Sequence, residues 1–378
     1  MDVPFRIGQL VTGEYFTDRV GEVRRIRQAM TTHGRLLVYG ERRQGKSSAI
    51  EQAARRVRRD GGLALSADLS TSSGFDDVAR RLMAGVPWKW KWREKLQEAL
   101  TRAQLRVETG LDAGGNPVLG LGLAPRPMDP SHGLDELRQV VEVLDKLAAR
   151  DGAPVVALVL DEFQEVTRIA ERGDWILRDL IQSSQGLSFV CAGSRRGIID
   201  RILAADGAFH RFFEVLDIGP MDPDHLARWI ESRVTQPGIS SETGVGREIV
   251  ALAGRRTEDV VRLARAVFLE ALGTGKATLA DVDPALRVVA LENHDRFQRL
   301  WSDLPQSQQA VLRALAAGET SLYGRAARES FGLTSSGTIR NALGALRGRA
   351  LLTETDEPRI DDPYFQRWIL LRAMPGSP

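Results

Sequence analysis

Gly40-Glu41-Arg42-Arg43-Gln44-Gly45-Lys46-Ser47 fits the spacing G-x-x-x-x-G-K-[ST], and an apolar run precedes it while a helical period follows. That spacing suits capture of a polyphosphate. Backbone N–H groups of the loop and of the helix start, from Gly40 through Gln44 and Gly45 to Ser48, surround the phosphates. Lys46 reaches the β- and γ-oxygens, the Ser47 hydroxyl ligates Mg²⁺, and the two glycines permit the backbone turns. A second acidic site is needed, and VVALVLDEFQEV supplies it: an apolar strand ends in Asp161-Glu162. Asp161 is read as the magnesium partner and Glu162 as the general base for water; the alternative is a capping pair on the following helix. The run LSFVCAG delivers Ser194 and Arg195 to the same sheet edge, Ser194 to touch the γ-phosphate or the water, or to cap.

These residues require a scaffold of strands that end together. Arg35–Tyr39, Leu63–Ala67, Val155–Leu160 and Leu187–Ala192 read as buried strands, each followed by a turn and a helical period, which predicts a parallel α/β sheet over roughly the first 220 residues. Between Gly85 and His132 the pattern breaks into an insertion, about 86–131, with a short helix and a hairpin. Within it, Trp88, Trp90 and Trp92 alternate with Lys89 and Lys91. Core packing is the favoured reading, against an amphipathic strand or a stacking edge for single strands. From 221 to 300 the period is helical, with starts at Asp224, Glu258 and Asp281 and breaks at Pro237, Gly254 and Gly273.

Residues 301–378 read as a winged helix-turn-helix. LPQSQQAVLRALAAGE, SLYGRAARESFG and SSGTIRNALGALRGRALL form its helices, and TETDEPRIDDPYF its wing. The first helix carries Leu304, Val311, Leu312 and Leu315 on one face, and the third buries Ile339, Leu343, Leu346 and Ala350. Arg340 and Arg347 then lie to one side of that stripe and Arg349 to the other. Five arginines between Ser321 and Ala350 face one acid, Glu329, so the unit offers a modest basic face to double-stranded DNA. A protein partner is the alternative.

The 378 residues imply two to three domains, and 43% hydrophobic with 27% charged residues excludes global disorder. One cysteine, Cys191, excludes a disulfide framework and a cysteine-rich zinc site, and favours a cytoplasmic location. No apolar run approaches the ~20 residues of a membrane span, the start lacks a signal-peptide pattern, and the five histidines show no ligand spacing, so Mg²⁺ is the one metal expected. A net charge of +2 gives no whole-protein field for nucleic acid.

In this order the blocks resemble the archaeal-type ATPases of the AAA+ and signal-transducing (STAND-like) P-loop assemblage, relatives of the origin recognition proteins. The resemblance rests on Tyr15-Phe16-Thr17-Asp18-Arg19 with Glu22, the loop GERRQGKSS, the box Asp161-Glu162-Phe163-Gln164, the strand end GSRRGIIDRIL, and Asp362-Pro363-Tyr364-Phe365-Gln366-Arg367-Trp368. It covers about Tyr15 to Leu371 and is weakest from Trp88 to His132. It implies an AAA+-like P-loop core, a helical lid and a C-terminal winged helix, with Phe16 and Arg19 on the adenine side of ATP. It further implies that Arg211, in FHRFFEV, is a finger acting on a neighbouring subunit in nucleotide-dependent self-association, or else a structural ion-pair residue. The lid helix starts with Ala253-Gly254-Arg255-Arg256-Thr257-Glu258 where relatives carry a Gly-Gly-Asn-Pro-like stretch, so Arg255 and Arg256 either reach the nucleotide or are solvated.

The function these readings converge on is an Mg²⁺-dependent ATPase that couples its nucleotide state to a DNA-contacting winged helix. The alternatives are a slow nucleotide-gated switch whose winged helix binds protein and, less well supported, a small-molecule phosphotransferase.

Overall fold

The computed structural model describes residues 3–112, 114–122, 130–194, 204, 207–235, 238–353 and 357–374. Two compact units divide the chain: Leu10–Pro220, and Met221–Pro378 joined by Met1–Gln9.

In the first unit five parallel strands form one sheet in the order β2-β5-β6-β1-β7. They are β1 (Arg35–Gly40), β2 (Leu63–Asp68), β5 (Val156–Asp161), β6 (Ser188–Ser194) and β7 (Glu214–Asp217). Alternation along the strands sorts side chains to two faces. Leu36, Val38, Val159 and Val190 meet α1 (Val20–Thr31) and α2 (Lys46–Arg59), while Leu37, Leu158, Phe189 and Cys191 meet α3 (Phe75–Ala84), α5 (Pro130–Ala148) and α7 (Gly173–Ser183). Burial on both faces explains why these strands read as unbroken apolar runs.

The insertion holds α4 (Arg93–Arg102) and an antiparallel hairpin, β3 (Val107–Leu111) with β4 (Pro117–Leu121). Trp88, Trp90 and Trp92 lie in turns and form no strand, which removes the alternation argument. Trp90 and Trp92 pack on the core, Trp90 Nε1 donates to the Gly61 carbonyl at 3.3 Å, and Arg93 and Lys95 each lie 4.2 Å over Trp88 and Trp92 respectively. Packing with cations on the outer ring faces therefore accounts for this motif. A short turn-and-helix segment, Phe163–Glu165 and α6 (Val166–Ile169), follows β5.

The second unit is helical: α8 (Pro223–Val234), α9 (Val245–Ala253), α10 (Thr257–Thr274), α11 (Leu279–Glu292), α12 (His294–Ser302), α13 (Gln306–Ala316), α14 (Arg325–Phe331), α15 (Ser336–Gly348) and α16 (Pro363–Arg372). Strands β8 (Ser240–Ser241) and β9 (Lys276–Ala277) form a minimal parallel pair. One core runs without interruption from Leu226 to Ile369, so the helices before residue 300 and the winged helix pack as one body. Phe5, from the distant N-terminal segment, is buried in it edge-on to Trp229 and Phe268. A ring cluster of Phe297, Trp301, Phe365 and Trp368 joins α12 to α16, and Trp368 donates to His294 Nδ1 at 3.0 Å.

Four expectations are corrected. Gly273 does not break its helix; α10 runs on to Thr274, and Gly275 ends it at φ 74°, where glycine costs least. Ala350 is exposed at φ 58°, outside the buried stripe of Ile339, Ala342, Leu343 and Leu346, because α15 has ended at Gly348. The supposed wing is narrower than expected: Leu352 and Ile360 form one antiparallel bridge, and Pro363-Tyr364-Phe365 already belongs to α16, capped by Asp362. Asp224 lies inside a helix whose cap is Asp222, and Pro237 lies outside the described residues. Among the described residues no helix is long and apolar enough to cross a membrane.

Candidate nucleotide site

β1 ends at Gly40, whose missing side chain matters: a Cβ there would lie 2.3 Å from the Ile218 carbonyl oxygen. The loop then turns through Arg43 at φ 68° and Gly45 at φ 83° and enters α2. No side chain caps that helix start and no acid lies in its first turn, so the N-terminal N–H groups and the positive end of the helix dipole are left for an anion. Lys46 is buried and donates from Nζ to the carbonyls of Gly40 at 3.1 Å and Glu41 at 2.8 Å. Burial lowers its pKa below the ordinary lysine value, against the pull of Glu162 and Asp161.

Ser47 donates from Oγ to Asp161 Oδ2 at 2.8 Å, and Asp161 Oδ1 accepts the Glu162 N–H at 2.9 Å. Burial raises the Asp161 pKa above the ordinary carboxylate value, while those two hydrogen bonds act to lower it. Glu162 sits at φ 48°, a conformation that non-glycine residues rarely adopt, and its carboxylate accepts from Gln164 Nε2. Parallel pairing aligns Gly40 with Ser194 and Asp68 with Asp161, so the carboxyl ends of β1, β2, β5 and β6 meet at one edge. Lys46, Ser47, Asp161, Glu162 and Ser194 are thus gathered there. Asp68 was missed in the sequence, although its strand ends on an acid just as VALVLD does; it adds a weak upward push on the Asp161 pKa.

Arg19, Phe16, Ser48 and Gln44 lie within or against this loop and helix start. Arg19 is buried at φ 62°, pairs with Glu22 at 3.1 Å, and donates to the carbonyls of Gln44 at 3.3 Å and Gly219 at 2.6 Å. It braces the loop against the chain leaving β7, a structural role that the adenine-side expectation did not include. Arg19→Ala is expected to leave those carbonyls without their donor and to lower stability by about 1–3 kcal/mol, read as a shift in the denaturant midpoint. Phe16 is partly buried against the core under α2, and Ser48 Oγ accepts from the Val11 N–H at 3.2 Å. The fully buried Gln44 lies at the centre of the loop.

Arg211 is exposed, at φ 52°, and precedes β7, whose Glu214 aligns with Leu36 at the start of β1. It therefore lies at the amino edge of the sheet, separated from the loop by the ~17 Å length of β1, and cannot reach the loop of its own chain. Arg195 lies outside the described residues. Arg256 is ion-paired with Asp361 beside the start of α16, and so is not simply solvated. Arg340 and Arg349 are exposed and Arg347 half-buried on and just after α15.

The comparisons agree with this architecture. A family described as "Probable winged helix domain" matches residues 295–371. The Walker-type ATPase of Pyrococcus abyssi is similar over 97% of this chain and 99% of its own, with a TM-score of 0.65 at 18% identity. The ORC1 protein of Aeropyrum pernix, solved in complex with DNA, is similar over 98% of each chain, with a TM-score of 0.51 at 16% identity. No curated protein matches the sequence. The chain shares the fold of these proteins: a parallel five-stranded sheet with helices on both faces, and a helical unit that ends in a C-terminal winged helix.

Proposed function

We propose that the protein is an Mg²⁺-dependent ATPase that couples its nucleotide state to a winged helix contacting double-stranded DNA. The observation that carries the reading is the convergence of Lys46, the Ser47–Asp161 pair and Glu162 at the uncapped start of α2. Ser47 and Asp161 present hydroxyl and carboxylate oxygens together, the hard donor set that suits Mg²⁺, and these two residues would hold it. When bound, Mg²⁺ supplies neutralisation of charge on the β- and γ-phosphates.

The chain's own groups do the rest. Lys46 and the N–H groups of Gln44, Gly45 and Ser48 bind the phosphates. Glu162 orients a water and accepts its proton, with Gln164 holding the carboxylate and Ser194 beside the γ-phosphate end of the loop. Arg211, at the far edge of its own sheet, acts on the site of a neighbouring copy, so self-association accompanies ATP binding.

For the winged helix, Arg340 and Arg347 are seven residues apart on α15, which places them on nearly the same side with ~10 Å of rise between them. Contact with phosphates from both is supported by this spacing. The Arg340→Ala, Arg347→Ala double variant is expected to weaken DNA binding almost uniformly over sequences and to reduce the log–log salt slope by about two. ATP turnover measured with and without duplex DNA at two salt concentrations tests the whole reading. Stimulation that fades with salt supports it. A parent with no salt-dependent DNA binding leaves a winged helix that faces protein.

A further inference from the structure

A groove of about 550 Å³ opens between the outer faces of α1 and α2, lined by Val20, Arg24, Arg27, Gln28, Thr31 and Arg56. Arg24, Arg27, Gln28 and Thr31 recur at three- and four-residue spacing, so they form one stripe along α1, and Arg56 faces them from the last turn of α2. Neighbouring cations are engaged elsewhere: Arg55 and Arg58 share Glu51, and Arg58 also donates to the Ala64 carbonyl. In the groove itself, Arg24 and Arg56 are not. Among the described residues no carboxylate pairs with Arg24 or Arg56, and Arg27 meets Asp60 at 2.8 Å in a pair exposed on both sides, the kind that contributes little and gives way to a competing anion.

We propose that this groove is a second DNA-binding surface, which holds the sugar–phosphate backbone of a duplex without reading its sequence. Three guanidinium groups around one opening, one of them shared with Asp60, favour an anion, and their planar forks match phosphate oxygens in bidentate fashion. The remaining lining is aliphatic, amide and hydroxyl. No aromatic side chain lines the groove, so it lacks the stacking platform on which single-stranded bases are held. The donors it does present are those used for backbone contacts, which position a duplex and carry no sequence information. Arg24 and Arg27 are one helical turn apart, about 4.5 Å along the axis, with Arg56 across the groove, so the cations are spread along a strand instead of focused on one isolated ion. Because α2 is also the helix that starts at the nucleotide loop, DNA held at Arg56 touches the far end of the element that carries Lys46.

The test is fluorescence anisotropy of a labelled mixed-sequence duplex with the full chain, over a series of salt concentrations, for the parent and for Arg24→Gln, Arg56→Gln. Both are repeated in the Arg340→Ala, Arg347→Ala background, so that loss of winged-helix contacts is not mistaken for loss of the groove. The groove variant is expected to reduce the log–log salt slope by about two in either background, with an unchanged melting temperature and ATP affinity. A slope and affinity equal to the parent's in both backgrounds overturns the proposal. So does a variant that loses binding to polyglutamate while keeping that to DNA, because the groove then serves an acidic peptide.

Discussion

Lys46→Ala is expected to lower ATP affinity by about 10²-fold or more and to leave the fold intact. The ammonium lies between the carbonyls of Gly40 and Glu41, buried at the start of α2 and drawn toward Asp161 and Glu162. Hydrogen bonds from a charged donor contribute about 1.5–3 kcal/mol each, and tenfold in affinity is about 1.4 kcal/mol, so losing two such contacts to phosphate oxygens accounts for the factor. Stability is expected to fall by no more than about 1–3 kcal/mol, since the carbonyls of Gly40 and Glu41 lose their donor while burial already opposes the charged form of this lysine. Titration calorimetry with ATP and Mg²⁺, beside circular dichroism, measures both. Parent-like affinity would remove the loop as the nucleotide site.

Glu162→Gln is expected to bind ATP as the parent does and to turn it over ~10²–10⁴-fold more slowly. Glutamine keeps the shape of the side chain and can still meet Gln164, whose Nε2 now donates to the carboxylate, but it cannot take a proton from water. Asp161, one residue earlier, stays hydrogen-bonded to Ser47, so the pair proposed to hold the metal is untouched. Single-turnover hydrolysis with binding measured in parallel separates the two effects. Turnover close to the parent's moves the role to Ser194 or to water alone.

The loop proposed to bind nucleotide is legible in the chain because its spacing is local. From Gly40 to Ser48 the backbone N–H groups, the lysine and the hydroxyl proposed to hold phosphate follow one another, and the apolar run before them and the helical period after them allow few other structures. The same holds for the strand that ends in Asp161-Glu162, since eight apolar or small residues followed by two acids mark a buried strand reaching a sheet edge. Spacing could place Arg340 and Arg347 on one side of a helix for the same reason.

Other residues acquired their meaning from pairing between distant segments. Arg19 reads as one more arginine before a helix, yet its guanidinium is fixed by carbonyls 25 and 200 residues away, which no local period reveals. Arg256 is held by Asp361, and Phe5 fills a core built from residues beyond 220. The Trp88–Trp92 alternation imitates a strand, but strands need a partner and the segment turns instead to seat Trp90 and Trp92 on the core. Register decided the remainder: aligning Asp68 with Asp161 and Gly40 with Ser194 brings four strand ends to one edge, and aligning Leu36 with Glu214 puts Arg211 at the opposite one. Local spacing specifies which groups a segment carries, whereas long-range hydrogen bonding and packing specify which of those groups meet.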